Sequence, residues 1–199
     1  IHHPTKERYS ADLLDNISLE EYIKSHGFEI KNGTPSGRSP DETIAFLNTF
    51  LNLSSVQMNF LNTKIRTDNH RKKGVEIKTL DGLEKFLEEI KFKPREDNKL
   101  SKYEVKYLTG EWFEEYIYHR LREEKVVNKG YLETGMTLNK RGVPNEFDVL
   151  FLHKTQFHAI ECKTSIIDDK KQSIINNTIY KSTALQKNLR TYKGVIMAD

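Results

Sequence analysis

The chain has 199 residues, enough for one sizeable α/β domain or two small ones. Its 32 Lys and Arg against 29 Asp and Glu leave a net charge of only +3, so total charge does not announce a nucleic-acid binder. A single cysteine excludes an internal disulfide framework and a Cys-rich zinc site and fits the reducing cytoplasm, and no secretory signal or apolar run of the ~18 residues that span a bilayer is visible.

The chain does not begin with Met, and His2 and His3 read as linker residues. Residues 1–39 show little apolar periodicity beyond Ile17 to Ile23, where Ser18 caps a short helix, Glu21 completes a capping box and Gly27 ends it. The polar stretch Asn32 to Pro40 is a loop whose glycines lack the lysine and spacing of a phosphate-cradling P-loop. Pro40-Asp41-Glu42 then opens a helix with Phe46, Leu47, Phe50 and Leu51 on one stripe, and Ser55 to Ile65 is a second helical run. The basic Arg71-Lys72-Lys73-Gly74 precedes a short strand at Val75-Glu76-Ile77. Leu80 to Ile90 follows as a helix. Helices with a short β element suggest a winged-helix-like connector over residues 1–100, and the polar, Pro-containing Phe92 to Lys99 marks its boundary.

Residues 101–199 read as a second domain. A long amphipathic helix is expected from Glu104 to Glu124, then strands at Gly130 to Leu138, Asn145 to Leu152 and Phe157 to Thr164. Residues 170–192 are mostly helical in pattern, and Gly194 to Ala198 forms another strand. The chain stops there, as a fragment of something longer would. The resulting α/β string of helix, three strands, helix, strand requires the last strand to arrive by a crossover. From Asp168 to Lys193 there are six basic residues against two acids. Lys170, Lys171, Lys181 and Lys187 are therefore candidate contacts to a polyanion, against the plainer reading of a solvated helix face.

The second and third strands carry the chemistry. Alternate strand side chains share a face, so Glu146 points with Asp148, Glu161 points with Lys163, and Cys162 turns to the opposite face as a small buried hydrophobe. Paired as a hairpin across Lys154-Thr155-Gln156, these runs bring two or three carboxylates and one ammonium together. Such crowding of like charge is costly unless a cation neutralises it, and hard carboxylate oxygens suit Mg²⁺ or Mn²⁺. We expect Asp148, Glu161 and the backbone carbonyl of Cys162 to be metal ligands, Lys163 to orient water or stabilise developing charge, and Glu146 to support them. That set suits phosphodiester hydrolysis. A further acid is expected from Gly110-Glu111-Trp112-Phe113-Glu114-Glu115, with Glu114 favoured; the plainer reading makes all three glutamates a polar helix face. No His-Glu-x-x-His spacing and no Gly-x-Ser-x-Gly elbow exists.

Asn145-Glu146-Phe147-Asp148-Val149, Ile160-Glu161-Cys162-Lys163-Thr164 and Gly110-Glu111-Trp112-Phe113-Glu114-Glu115-Tyr116 resemble the three motifs of the PD-(D/E)XK nuclease superfamily. The set is most similar to CRISPR ancillary nucleases that join a CARF sensor to a nuclease through a winged-helix-like linker, and Tyr180-Lys181 is similar to their basic helix motif. The resemblance is specific over residues 104–198 and loose over 1–100. It implies a restriction-endonuclease-like core and a metal-dependent endonuclease. Such an enzyme is usually a homodimer, switched on by cyclic oligoadenylate and cutting single-stranded or nicked DNA or, in some members, RNA. The sensor is not in this sequence, because nothing before residue 100 alternates strand and helix. Two alternatives remain: a restriction- or repair-type nuclease without second-messenger control, and a non-catalytic nucleic-acid-binding or dimerising module.

Overall fold

The computed structural model describes residues 17–33, 37–125, 127, 131–153, 156–164, 176, 178–181, 183 and 189, and the backbone of 192–197. In chain order the elements are α1 (Leu19–Ser25), β1 (Glu29–Lys31), α2 (Pro40–Leu51), α3 (Ser55–Phe60), α4 (Asp68–Lys73), β2 (Val75–Glu76), α5 (Leu83–Glu89), β3 (Lys99–Leu100), α6 (Lys102–Lys106), α7 (Trp112–Glu123), β4 (Leu132–Lys140), β5 (Val143–His153), β6 (Gln156–Lys163) and β7 (Tyr192–Met197). π-Helical turns at Leu61–Ile65 and Tyr107–Glu111 extend α3 and join α6 to α7. Among the described residues no helix is long and apolar enough to cross a membrane.

The chain divides into two units by its internal contacts, one of residues 1–33 and 117–199, the other of 34–116. That division differs from the boundary expected at residue 100, because the N-terminal segment completes the β-sheet unit. In that unit the strand order is β1-β4-β5-β6-β7, antiparallel from β1 to β6 and parallel between β6 and β7. The parallel last pair is what a crossover requires, and residues 178–181 between the two strands are helical. The α/β string of helix, three strands, helix, strand is thus as expected.

Residues 1–39 contribute more than their weak periodicity implied. Ser18 accepts from the Glu21 amide while the Glu21 carboxylate accepts from the Ser18 amide, the capping box the sequence encodes. The helix so started drives Leu19 and Ile23 into the core with Phe28, Met136, Leu138 and Leu150. Tyr22 donates to the Leu189 carbonyl at 3.1 Å. β1 then pairs with the outer edge of β4 from Glu29↔Asn139 to Lys31↔Thr137.

Beyond β1, Gly33 meets Gly135, which has φ +59° at the step of β4 that faces Asp148 and interrupts the β4–β5 pairing there. A Cβ on Gly33 would stand 2.5 Å from the Gly135 carbonyl oxygen and 2.9 Å from its carbonyl carbon, and backbone cannot step aside. Gly33→Ala should therefore cost about 1–3 kcal/mol, lowering the melting temperature by several degrees. An unchanged melt would show that the contact yields freely.

The unit of residues 34–116 is helical with one two-stranded ribbon, β2 pairing with β3. Ser39, Ser54 and Ser101 each form a capping box, with Glu42, Gln57 and Glu104. Phe46, Phe92, Tyr107 and Trp112 pack ring against ring beneath Arg38, whose guanidinium lies 4.1 Å from the Phe92 centroid. The expected continuous helix from Glu104 to Glu124 is broken here. Gly110 takes φ 149° and ψ −31°, outside the helical region and open to glycine, so α6 and α7 meet through a π turn.

Candidate active site

The β5–β6 ladder holds from His153↔Gln156 to Val149↔Ile160 and stops one step short of Asp148 and Glu161. From that point β5 stays with β4 and β6 stays with β7, so the two strands part and the acids stand at the fork. Where the ladder bond is lost, the Cys162 amide donates to Asp148 Oδ2 at 2.6 Å. A short, charge-assisted bond of this kind fixes the carboxylate and satisfies a buried N–H.

Lys163 fills the fork. Its Nζ lies 3.2 Å from Asp148 Oδ2, 2.9 Å from Glu161 Oε1 and 3.0 Å from the Cys162 carbonyl oxygen. Three hard oxygens from three residues thus converge on one cation. Glu161 Oε1 also accepts from Lys181 Nζ at 2.9 Å, and that ammonium lies 5.8 Å from the Phe147 ring centroid. Asp148 and Glu161 are 9% and 8% exposed, too buried for an ordinary surface ion pair of marginal worth.

The electrostatics follow from this crowding. Burial, and then the neighbouring Glu161 charge, push the Asp148 carboxyl above its ordinary range, against the opposing pull of Lys163 and the Cys162 amide. For Lys163, burial alone would lower the pKa, but attraction to Asp148 and Glu161 outweighs it and the ammonium is held above its usual value. The site is arranged to keep a positive charge between its carboxylates.

The expected residues that are described fall as follows. Asp148, Glu161, Lys163 and the Cys162 carbonyl come together as the strand parity indicated, and the Cys162 side chain is buried and in no disulfide. Glu146 is exposed and pairs in register with Thr137. Among the described residues no three acid, histidine or cysteine side chains gather into one cluster, so the acidic pair stands with Glu146 outside it. Glu114 is half-buried on α7, in the unit of residues 34–116. Glu111 is bonded to Lys106 at 3.1 Å, and Glu115 is buried. Lys170, Lys171 and Lys187 lie outside the described residues.

Two roles escaped the sequence. Lys181, expected only on a basic substrate-facing helix, reaches Glu161 itself; its twenty-residue separation from Glu161 gave no periodic signal, because the crossover sets the distance. The amide of Cys162 as the anchor of Asp148 depends on where the ladder stops, which no side-chain pattern encodes.

A divalent cation suits this donor set. Two carboxylates and a carbonyl already surround a positive charge, and hard oxygens are the preferred partners of Mg²⁺ and Mn²⁺. The Lys163 ammonium marks the point at which their negative potential converges.

Several solved structures share the fold, and two of them cover most of this chain. Protein VC1899 from Vibrio cholerae is 20% identical with a TM-score of 0.62, covering 92% of this chain and 52% of its own. Can2 from Sulfobacillus thermosulfidooxidans, solved in complex with cyclic tetra-adenylate, is 24% identical with a TM-score of 0.52, covering 88% of this chain and 48% of its own. The chain therefore spans about half the length of either protein. No curated protein matches it. Residues 101–198, which carry the fork, its acids and Lys163, match the model of the Card1-like endonuclease domain, and this match supports a nuclease.

Proposed function

We propose that this protein is a Mg²⁺- or Mn²⁺-dependent endonuclease of the PD-(D/E)XK kind, hydrolysing phosphodiester bonds in single-stranded or nicked DNA, with RNA as a second substrate class. The observation that carries this reading is the convergence of Asp148 Oδ2, Glu161 Oε1 and the Cys162 carbonyl on one cation, inside the segment matched by an endonuclease model.

In this reading Asp148, Glu161 and the Cys162 carbonyl hold the metal, and Glu114 on α7 supplies a further acid. A bound metal supplies polarisation of the phosphoryl oxygens and a lowered pKa for water. The Cys162 amide keeps Asp148 turned into the fork. Lys163, released from the carboxylates, orients the attacking water or offsets charge on the phosphoryl group. Lys181 holds Glu161 in place from the crossover side. Lys170, Lys171 and Lys187, with Lys181, contact the polynucleotide. The enzyme works as a homodimer in the cytoplasm within CRISPR defence. Cyclic oligoadenylate control acts through a sensor domain outside residues 1–199.

Incubating the protein with single-stranded, nicked and intact duplex DNA and with RNA, each with Mn²⁺ or EDTA and with or without cyclic tetra-adenylate, tests the reading. Cutting should require Mn²⁺ and vanish in EDTA. Cutting that persists in EDTA, or no cutting of any substrate in Mn²⁺, would overturn it.

A further inference from the structure

In the unit of residues 34–116, two guanidinium groups are drawn to one buried threonine. Arg66 donates to the carbonyl oxygen of Thr109, and Arg71 Nη1 donates to its hydroxyl at 2.9 Å. Thr109 is 2% exposed and sits within the π turn between α6 and α7, where its own hydroxyl donates to the Val105 carbonyl at 2.8 Å. Two like charges thus donate to the backbone and the hydroxyl of the same residue. Burial, and then the Arg71 charge, depress the Arg66 pKa, the mark of unfavourable crowding.

Around them α4 ends in His70-Arg71-Lys72-Lys73, and Lys72 and Lys73 are exposed. Among the described residues no ion pair joins Arg71, Lys72 or Lys73 to an acid, and the nearby Glu111 is taken by Lys106. A plainer account is that cations suit the C-terminus of a helix. It covers the two lysines, but not two arginines turned inward onto the same threonine. The fork gathers carboxylates around a cation; this second cluster gathers cations, and its complement is an anion.

We propose that Arg66, Arg71, Lys72 and Lys73 form a subsite for the phosphates of the polynucleotide backbone, a proposal that rests on the nuclease reading. The Thr109 bond takes one of Arg71's five N–H donors and fixes the plane of the guanidinium, which suits two-pronged contact with a phosphate. Such contacts position a strand and carry no base preference. A backbone site suits a nuclease that tolerates many sequences.

The test is binding of fluorescein-labelled single-stranded DNA in EDTA, followed by anisotropy over a range of NaCl concentrations. Removing three cations with Arg71→Ala/Lys72→Ala/Lys73→Ala should weaken binding roughly 10- to 100-fold at 0.1 M salt and make the slope of log K against log[salt] shallower by about 2. Lys72→Ala/Lys73→Ala, which alters only exposed side chains, should give a slope change of about 1.4, and Lys78→Ala/Lys85→Ala elsewhere on the same unit should give none. An unchanged slope in the triple and double variants, or an equal change in the Lys78/Lys85 variant, would overturn the subsite. The readout does not depend on cleavage. Intact cutting with an unchanged slope removes only the subsite, whereas the predicted slope change in a protein that never cuts removes only the nuclease reading.

Discussion

Glu161→Gln and Asp148→Asn should each reduce Mn²⁺-dependent cleavage by roughly 10³-fold or more, because either change removes one charged donor of the buried acidic pair at the fork. Stability should move the other way for Asp148. Burial and the Glu161 charge raise its pKa, so the folded state favours the protonated form and loses stability as pH rises through that raised value. Asparagine removes the charge and can still accept from the Cys162 amide. Asp148→Asn should therefore melt at or above the parent temperature at pH 8, with the gap closing in acid where the parent carboxyl protonates. Lys163→Ala is the instructive contrast, since it leaves both acids without the ammonium that separates them. Cleavage time courses beside thermal melts at two pH values read both effects. Undiminished cutting by either acid variant would sink the assignment, and a large drop in melting temperature would make lost activity uninformative.

The largest effect on stability is expected at Glu104. This carboxylate is 2% exposed and accepts from the Ser101 amide at 3.0 Å, the Ser101 hydroxyl at 2.8 Å and the Arg95 amide at 2.8 Å, with Arg38 at 3.5 Å. It caps α6 and faces a guanidinium whose side chain is only 8% exposed. Glu104→Ala removes the cap, leaves two amides without that acceptor and deprives a buried cation of its buried partner. The expected loss is about 3–5 kcal/mol. Trp112 is the chain's single tryptophan and belongs to the same unit, so its fluorescence in a urea titration follows this part of the molecule. The exposed Lys24–Glu20 pair provides the scale, since its disruption should cost under about 0.5 kcal/mol. A loss below about 1 kcal/mol for Glu104→Ala would show that water or Glu42 replaces the carboxylate at little cost.

What the sequence disclosed follows from which features are local. Strand parity is a property of neighbouring residues, and it placed Asp148, Glu161 and Lys163 on a common face with Cys162 turned away. The capping box at Ser18 and the helix start at Pro40 were legible for the same reason. The box at Ser101 obeyed the same rule, but the apolar stripe of the following helix drew the start to Glu104. That stripe also hid the break at Gly110, since a π turn shifts the periodicity without ending it. β1 was illegible because Glu29-Ile30-Lys31 has one apolar residue and owes its strand form to a partner over a hundred residues away. Where Lys181 would land depended likewise on the crossover.

The pairing of β1 with β4 bears on how the molecule can be cut. Residues 101–198 match an endonuclease model, yet Leu19, Ile23 and Phe28 fill the same core as Met136, Leu138 and Leu150. Excised alone, that stretch would bare an apolar face and leave the backbone of Thr137 to Asn139 as an open strand edge, the template on which chains aggregate. The segment that guards this edge is three residues long and carries an acid and a base, too short and too polar to recruit a second molecule. Solubility is thus encoded about a hundred residues upstream of the chemistry, and a soluble minimal fragment has to start before Ser18.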